Sequence, residues 1–254
     1  MPESAWGVRY AKCRMFAHRL LPKIVKKRLR RLMRYDRPGV GRVRFGDFER
    51  TDPISRNFGY DRGTPIDRIY IERFLAEHAS SIHGRTLEVV DDDYTARFGG
   101  PRTTQRDIVD LRPENTRATI VGDLTSLGAE WNDKFDAIVL TQTLHLIFDL
   151  QKAVSALFRL LKSGGTVLVT VPGLTPIDHH QEYETWYWSL TEASARRLFS
   201  DVFGADSTHI AVYGNVCSAV CFLEGIAAEE LKPEMLHEQD HHFPVTIGIC
   251  ATKG

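Results

Sequence analysis

Four acidic residues follow short apolar runs in the middle of the chain, and their spacing strongly constrains the fold. Glu88 lies at the end of an apolar run that starts at Thr86, and Asp107, Asp123 and Asp136 follow at intervals of 19, 16 and 13 residues. Acids at such intervals, each beside a short apolar run, are typical of a doubly wound α/β sheet that presents acids at its strand ends. These sheets bind ligands outside the carboxyl ends of their strands, so the spacing predicts a nucleoside-like ligand.

The turn after Glu88 excludes the common dinucleotide cofactors. A dinucleotide-binding turn carries glycines that let a pyrophosphate approach a helix N-terminus. No glycine occurs between Arg85 and Gly99, and three consecutive aspartates at 91–93 would repel a diphosphate. NAD, FAD and ATP are therefore poor candidates, whereas the sulfonium and ammonium groups of S-adenosylmethionine would tolerate the carboxylates.

Several short motifs in a fixed order carry a resemblance to a known family. They are found at residues 65–68, 70–72, 87–88, 91–92, 121–124, 135–136, 141–145 and 160–165. In this order they resemble the class I methyltransferases, and most closely a type 11-like bacterial branch associated with glycan and natural-product clusters. The resemblance covers residues 63–254. It implies a Rossmann-like fold with seven mostly parallel strands and S-adenosylmethionine as the cofactor.

One residue departs from the family pattern in the cofactor turn. The family commonly has Glu-Ile-Gly where this chain has Glu88, Val89 and Val90. Glycine tolerates a positive φ and a close approach of the ligand to the backbone, which valine does not. Either the turn is altered around a still-bound cofactor or binding is weakened, and we expect binding to be retained.

The resemblance implies a role for each residue of the cofactor site. Glu88 would hold the methionine ammonium, Asp107 both ribose hydroxyls, and Asp123 the adenine amino group while Leu124 packs on the ring. Arg68 is the candidate for the methionine carboxylate. The remaining residues expected to border the cofactor are Val90, Asp91, Thr141 and Gln142.

The methyl acceptor is expected to lie beside a loop rich in histidine and aromatic residues. Methyl transfer to a hydroxyl requires a base, and histidine titrates near neutral pH. His145 and the pair His179 and His180 are alternative bases. Flat aromatic side chains suited to stacking on sugars or aromatic acceptors are Tyr183, Trp186 and Trp188. We expect no metal site, although the histidine pair with Asp178 and Glu182 offers metal-ligand types.

These features leave three functions open. The first is O-methylation of a sugar hydroxyl in a glycan or glycosylated natural product. The second is methylation of a carboxylate on a peptide or small acid, which needs no base. The third is a non-catalytic scaffold with the same fold. No Asn/Asp-Pro-Pro-Tyr/Phe motif is present, so nucleic acid is not an expected substrate.

The charge is strongly uneven along the chain. Residues 1–37 carry 12 Lys and Arg against 2 Asp and Glu, whereas the whole chain is balanced at 33 of each. Within residues 22–35 the basic residues accompany an apolar repeat at helical spacing, which predicts a basic amphipathic helix. It would pack on the acidic body of the protein, attach to an anionic membrane surface or bind a partner protein.

The expected organisation is a basic arm and linker or lid at residues 1–62, followed by a methyltransferase domain at residues 63–254. We expect a cytoplasmic protein, peripheral to the membrane if the arm binds lipid, because no apolar segment is long enough for a signal peptide or a span. The four cysteines form no regular framework, so we expect free thiols. A helix at 216–231 is either a packed surface helix or a lid or homodimer contact.

The apolar patterns also predict the positions of the other elements. We expect strands at residues 86–90, 103–108, 118–121, 135–141, 166–171, 208–213 and 245–251. We expect helices at residues 64–78, 94–98, 149–162 and 191–203.

Overall fold

A computed structural model describes residues 38–178 and 185–254 of the chain. The predicted basic helix, together with His179, His180 and Tyr183, lies outside the described residues. The chain forms two compact units, Met1–Arg50 and Thr51–Gly254. The described part of the first unit contains a short 3-10 turn at Gly46–Phe48. The second unit contains the sheet and all the predicted site residues that the structure describes.

The second unit is built on one seven-stranded sheet. Its strands are β1 (Gly84–Val89), β2 (Thr103–Asp110), β3 (Ile120–Val121), β4 (Phe135–Thr141), β5 (Leu161–Pro172), β6 (Thr208–Tyr213) and β7 (Thr246–Thr252). The order across the sheet is β3-β2-β1-β4-β5-β7-β6. Only β7 runs antiparallel to its neighbours β5 and β6. The predicted mostly parallel, doubly wound α/β fold is confirmed.

Five α-helices lie among the described residues, namely α1 (Ile66–Glu77), α2 (Leu150–Leu160), α3 (Glu192–Phe203), α4 (Val216–Leu223) and α5 (Pro233–His237). Side-chain caps begin three of them, because Asp149 accepts from the amide of Lys152, Thr191 from that of Ser194 and Asn215 from those of Cys217 and Ser218. Every described helix is too short or too polar to span a bilayer.

The structure corrects three predicted helix boundaries. α1 starts at Ile66 after Pro65, because the Thr64 side chain donates to Glu229 instead of capping the helix. α2 ends at Leu160, since Leu161 already pairs with β4 as the first residue of β5. α4 ends at Leu223 rather than continuing to residue 231. Gly225 follows it with φ +70°, a conformation that does not continue a right-handed helix.

Apolar side chains cover both faces of the sheet. α2 and α3 pack on one face through Val154, Leu157 and Phe199. α1 and α4 pack on the other face through Phe74 and Phe222. The first crossover is one π-helical turn, Thr95–Gly99, which agrees with the short helix predicted there. Because β1 and β2 are parallel, this crossover and the loop that follows β2 both begin at the carboxyl edge of the sheet.

Candidate functional site

The turn after β1 has the conformation of a glycine turn although it contains valine. Val90 has φ +72° and an exposed fraction of 42%. The left-handed region is unfavourable for a β-branched residue and costs roughly 1–3 kcal/mol. The Val90 amide donates to the carbonyl of Val109 in β2, and the Val90 carbonyl accepts from the Asn115 side chain at 2.7 Å. The expected altered turn is therefore not observed, because valine adopts the left-handed backbone.

Glu88 is buried in β1 and organises this turn. Its carboxylate accepts from the backbone amide of Thr95 at 2.8 Å and from that of Tyr94 at 3.3 Å. Burial raises the pKa of Glu88 to about 7, against the opposing effect of hydrogen bonds from Thr95 and Tyr94. Both carboxylate oxygens therefore hold the start of the short crossover helix.

The structure places Asp107 away from the carboxyl edge of the sheet. Asp107 pairs in register with Leu87, inside β1, and its carboxylate accepts from Arg85 at 2.7 Å. The acid at the carboxyl end of β2 is Asp110. The expected role of Asp107 at the ribose does not fit this position, because Asp107 lies three residues before the carboxyl end of β2.

Asp110 is a buried carboxylate that sequence reasoning missed. Burial alone would raise its pKa, but hydrogen bonds from Arg112 and Asn115 lower that pKa to about 2. Asn115 donates at 2.7 Å, and the Arg112 backbone and guanidinium donate at 3.0–3.2 Å. Asp110 is therefore ionised at neutral pH. Its signal in the sequence is the apolar pair Ile108 and Val109 that it follows.

The loop between β2 and β3 exposes an apolar side chain next to this acid. Leu111 is 70% exposed, so its side chain is not part of the hydrophobic core. After β3, Asp123 caps the 3-10 turn Leu124–Ser126 by accepting from the Thr125 amide, and its carboxylate is exposed. Leu124 is buried below it. An acid and an apolar side chain thus follow each of the two strands.

An open cavity of about 420 Å³ lies between the β1 turn and this loop. It is lined by Val90, Asp91, Arg112, Glu114, Asn115 and Arg117. The three adjacent aspartates do not form a bare negative patch, because Arg106 and Arg117 pair with Asp92, and Arg117 also reaches Asp93. Of the three aspartates, Asp91 is the one that faces the cavity.

Arg68 provides a positive charge next to the same turn. Its guanidinium donates to the hydroxyl groups of Tyr60 and Tyr94, each at 2.7 Å. It makes no ion pair with a carboxylate in the part of the chain that the structure describes. Although burial opposes the charge, the two phenols keep the pKa of Arg68 above its usual value. A half-buried cation of this kind is stabilised by an anionic ligand group.

The end of β4 brings Thr141, Gln142 and His145 towards the same edge. Gln142 has a left-handed φ of +44°, and its amide donates to the carbonyl of Thr170. His145 is only 1% exposed, and burial lowers its pKa to about 4. Neither of its ring nitrogens has a hydrogen-bond partner among residues 38–178 and 185–254. It is therefore a neutral imidazole at physiological pH.

Aromatic side chains surround this histidine. Trp186 meets the His145 ring edge-on with centroids 4.5 Å apart and stacks on Phe58 at 6.3 Å. Next to them, Phe148 lies 5.3 Å from Tyr187 and 5.9 Å from Trp188, and all three are exposed. Phe148, which sequence reasoning missed, is 69% exposed. An aromatic platform is therefore formed by Phe148, Tyr187 and Trp188, and the Trp188 indole donates to the carbonyl of Ile147.

The carboxyl edge of the sheet fits an adenosyl amino acid. Arg68 provides a cation for a carboxylate, and Asp110 and Asp123 provide acceptors for hydroxyl and amino groups. Leu111 provides an exposed apolar surface for a base. No three His, Cys, Asp or Glu side chains within the described ranges are arranged to hold a metal ion.

Comparison with known proteins identifies the family and supports the fold. The family model described as a methyltransferase domain matches residues 50–208, which is more than half of the chain. No curated protein matches the chain. Among solved structures, a SAM-dependent methyltransferase from Archaeoglobus fulgidus has a TM-score of 0.50 at 13% identity, covering 73% of this chain and 94% of its own.

Two further structures extend this likeness. The [4+2]-cyclase SpnF has a TM-score of 0.50 at 17% identity, with 76% of this chain and 83% of its own covered. A 1,6-didemethyltoxoflavin-N1-methyltransferase from Burkholderia thailandensis, solved with S-adenosylhomocysteine, has a TM-score of 0.47 at 15% identity over 72% and 76%. At these identities the two structures with a TM-score of 0.50 support the fold alone, since one of them is a cyclase. By its family match, the chain belongs to the methyltransferase domain family and is an enzyme that uses S-adenosylmethionine.

Proposed function

We propose that Arg68, Asp110 and Asp123 bind three of the polar parts of S-adenosylmethionine. Arg68 binds the methionine carboxylate, Asp110 replaces the expected Asp107 at the ribose hydroxyls, and Asp123 accepts from the adenine amino group. The support for this proposal is that a cation, a buried carboxylate and an exposed carboxylate lie on one sheet edge. Leu111 and Leu124 contact the adenine ring.

The remaining expected residues border the same ligand. Val90 and Asp91 line the cavity beside the β1 turn, and Thr141 with Gln142 borders the methionine arm at the end of β4. Glu88 acts indirectly, because its carboxylate fixes the Thr95 amide rather than facing outward. S-adenosylmethionine supplies an electrophilic methyl group on a positive sulfonium, so the protein needs mainly to align an acceptor and exclude water.

The proposed reaction is O-methylation of a sugar hydroxyl in a glycan or glycosylated natural product. The observation that favours a sugar is the exposed aromatic platform beside the end of β4. Phe148, Tyr187 and Trp188 present broad apolar faces, which suit the C–H face of a sugar ring. A contiguous exposed patch of large apolar side chains often marks a binding surface.

The proposed base is the pair His179 and His180 rather than His145. A base with a pKa near 4 takes a proton only weakly at neutral pH, and His145 has such a pKa because it is buried. His145 is proposed instead to support Trp186, whose ring it meets edge-on.

A panel of acceptors tests the sugar proposal. The full-length protein is incubated with methyl-labelled S-adenosylmethionine and either oligosaccharides or peptides with free carboxylates but no sugar. We expect label in the oligosaccharides. Trp188→Ala should raise the KM for the oligosaccharide about tenfold while leaving S-adenosylhomocysteine affinity within threefold, because Trp188 lies on the platform and not at the β1 turn. Labelled peptides with unlabelled oligosaccharides would instead establish the carboxylate reaction.

A further inference from the structure

We propose that Asn115 is a positioning residue that holds Val90 in its left-handed conformation, so that a turn without glycine serves the cofactor site. The inference rests on the proposed binding of S-adenosylmethionine at this edge. It concerns a residue in the loop between β2 and β3 rather than in any of the motifs expected to contact the cofactor.

Asn115 connects the ends of two neighbouring strands. Its side-chain amide donates to the Val90 carbonyl after β1 and to the Asp110 carboxylate at the end of β2, each at 2.7 Å. Its side-chain oxygen accepts from the backbone amide of Arg117 at 3.1 Å, which closes the loop on itself. Both amide hydrogens and the carbonyl oxygen of the side chain are therefore used.

These contacts fix both polar groups of the Val90 backbone. The Val90 amide donates to the Val109 carbonyl at 3.0 Å, which extends the pairing of β1 with β2 by one residue. The Val90 carbonyl is held by Asn115. A residue in an unfavourable conformation persists only where its surroundings determine it fully. Without Asn115, only the amide side of Val90 would be fixed, and the turn could relax towards the extended conformation that valine prefers.

The position requires an amide side chain. The two oxygens that face it are a carbonyl and a carboxylate, so the residue must donate two hydrogen bonds and carry no negative charge. Aspartate could still accept from Arg117, but it would donate nothing and would place a second acid beside Asp110. A glycine at position 90 would adopt the same backbone at little cost, so it would need no such support.

A double-mutant cycle tests the proposal. S-adenosylhomocysteine affinity is measured by calorimetry for the parent, Asn115→Ala, Val90→Gly and the double variant. We expect Asn115→Ala to weaken binding about tenfold or more when position 90 is valine, and less than threefold when it is glycine. Asn132→Ala is the matched control, because Asn132 is also a half-buried loop asparagine with a single side-chain contact, to Arg159, before β4. It should leave affinity unchanged.

Hydrogen exchange of the Val90 amide provides a readout that needs no ligand. Asn115→Ala should speed this exchange at least tenfold, while in the Val90→Gly background the amide at position 90 should exchange at similar rates with and without Asn115. Equal losses of affinity in both backgrounds, or unchanged exchange, would overturn the role of Asn115. A different result is that the parent protein fails to bind S-adenosylhomocysteine while Asn115→Ala still speeds exchange of the Val90 amide. That result would refute the proposed function but not the role of Asn115 in holding Val90.

Discussion

Arg85 and Asp107 form an ion pair within the sheet, with 2.7 Å between the guanidinium nitrogen and the carboxylate oxygen. The Asp107 side chain also accepts from Gln105 and Thr119, and the Arg85 guanidinium lies over the Trp131 ring. All these partners belong to the protein. The carboxylate of Asp107 therefore stabilises the packing of the first strands, whereas Asp110 lies at the carboxyl end of β2.

The two acids of β2 should respond differently to the same substitution. Asp107→Ala should lower the free energy of unfolding by about 1.5–3 kcal/mol, the usual value of hydrogen bonds to a charged group, and leave the affinity of the folded protein for S-adenosylhomocysteine within about threefold. Asp110→Ala should weaken that affinity about tenfold or more. Urea unfolding and calorimetry on both variants measure these effects. The assignment of Asp110 fails if Asp107→Ala is the variant that loses binding.

The sequence predicted the sheet well because its strands are apolar and bounded by polar turns. Residues 135–141 and 208–213 have the predicted boundaries. The predicted end of β2 was wrong, because the strand extends to Asp110, two residues beyond it. Register decides which of two acids in one strand reaches the edge, and register depends on the pairing of Asp107 with Leu87, a long-range contact that spacing alone does not determine.

Arg68 should distinguish ligands by their carboxylate. Arg68→Met removes the charge, so S-adenosylhomocysteine should bind about 10–100-fold more weakly, as expected for the loss of a charged hydrogen bond of roughly 1.5–3 kcal/mol. 5′-Methylthioadenosine has the same nucleoside but no amino acid group. Its affinity should change less than threefold in calorimetry. Equal weakening of both ligands would show that Arg68 acts on the pocket as a whole, through Tyr60 and Tyr94.

Glu88 should make the protein less stable as the pH rises. Its pKa is about 7 in the folded protein, above the usual 4.5, so the folded state binds the extra proton between these values. Stability from this group is fully present below about pH 4.5 and is lost as the pH rises through about 7, a change of about 3 kcal/mol. Urea midpoints at pH 5, 6, 7 and 8 should show this slope in the parent and not in Glu88→Gln. A parent-minus-variant difference that does not depend on pH would contradict the burial effect.

Other properties of the site could not be predicted, because they depend on contacts between residues that are distant in the sequence. The left-handed conformation of Val90 depends on Asn115 and Val109, which lie 25 and 19 residues further along the chain. The burial of His145 depends on Trp186, which packs against the His145 ring. In the chain, β5 lies between these two residues. The residue types were visible in the sequence, but these contacts determine whether each one is exposed, ionised or strained.

The two candidate bases should be separable by pH. His145 has a folded pKa of about 4, below the usual 6.5, so its stabilising effect is present above about pH 6.5 and is lost as the pH falls through 4. His145→Leu should therefore flatten the rise of stability between about pH 4 and 6.5. It should not remove an inflection of kcat near pH 6–7, because a group with a pKa near 4 does not titrate there.

Replacing His179 and His180 with Gln should remove that inflection and lower kcat about 100-fold or more. This is the usual contribution of a general base, and cofactor affinity should stay nearly constant. A parent profile that is flat above pH 6 and insensitive to all three histidines would exclude a hydroxyl acceptor, since a carboxylate acceptor is already ionised and has no proton to lose.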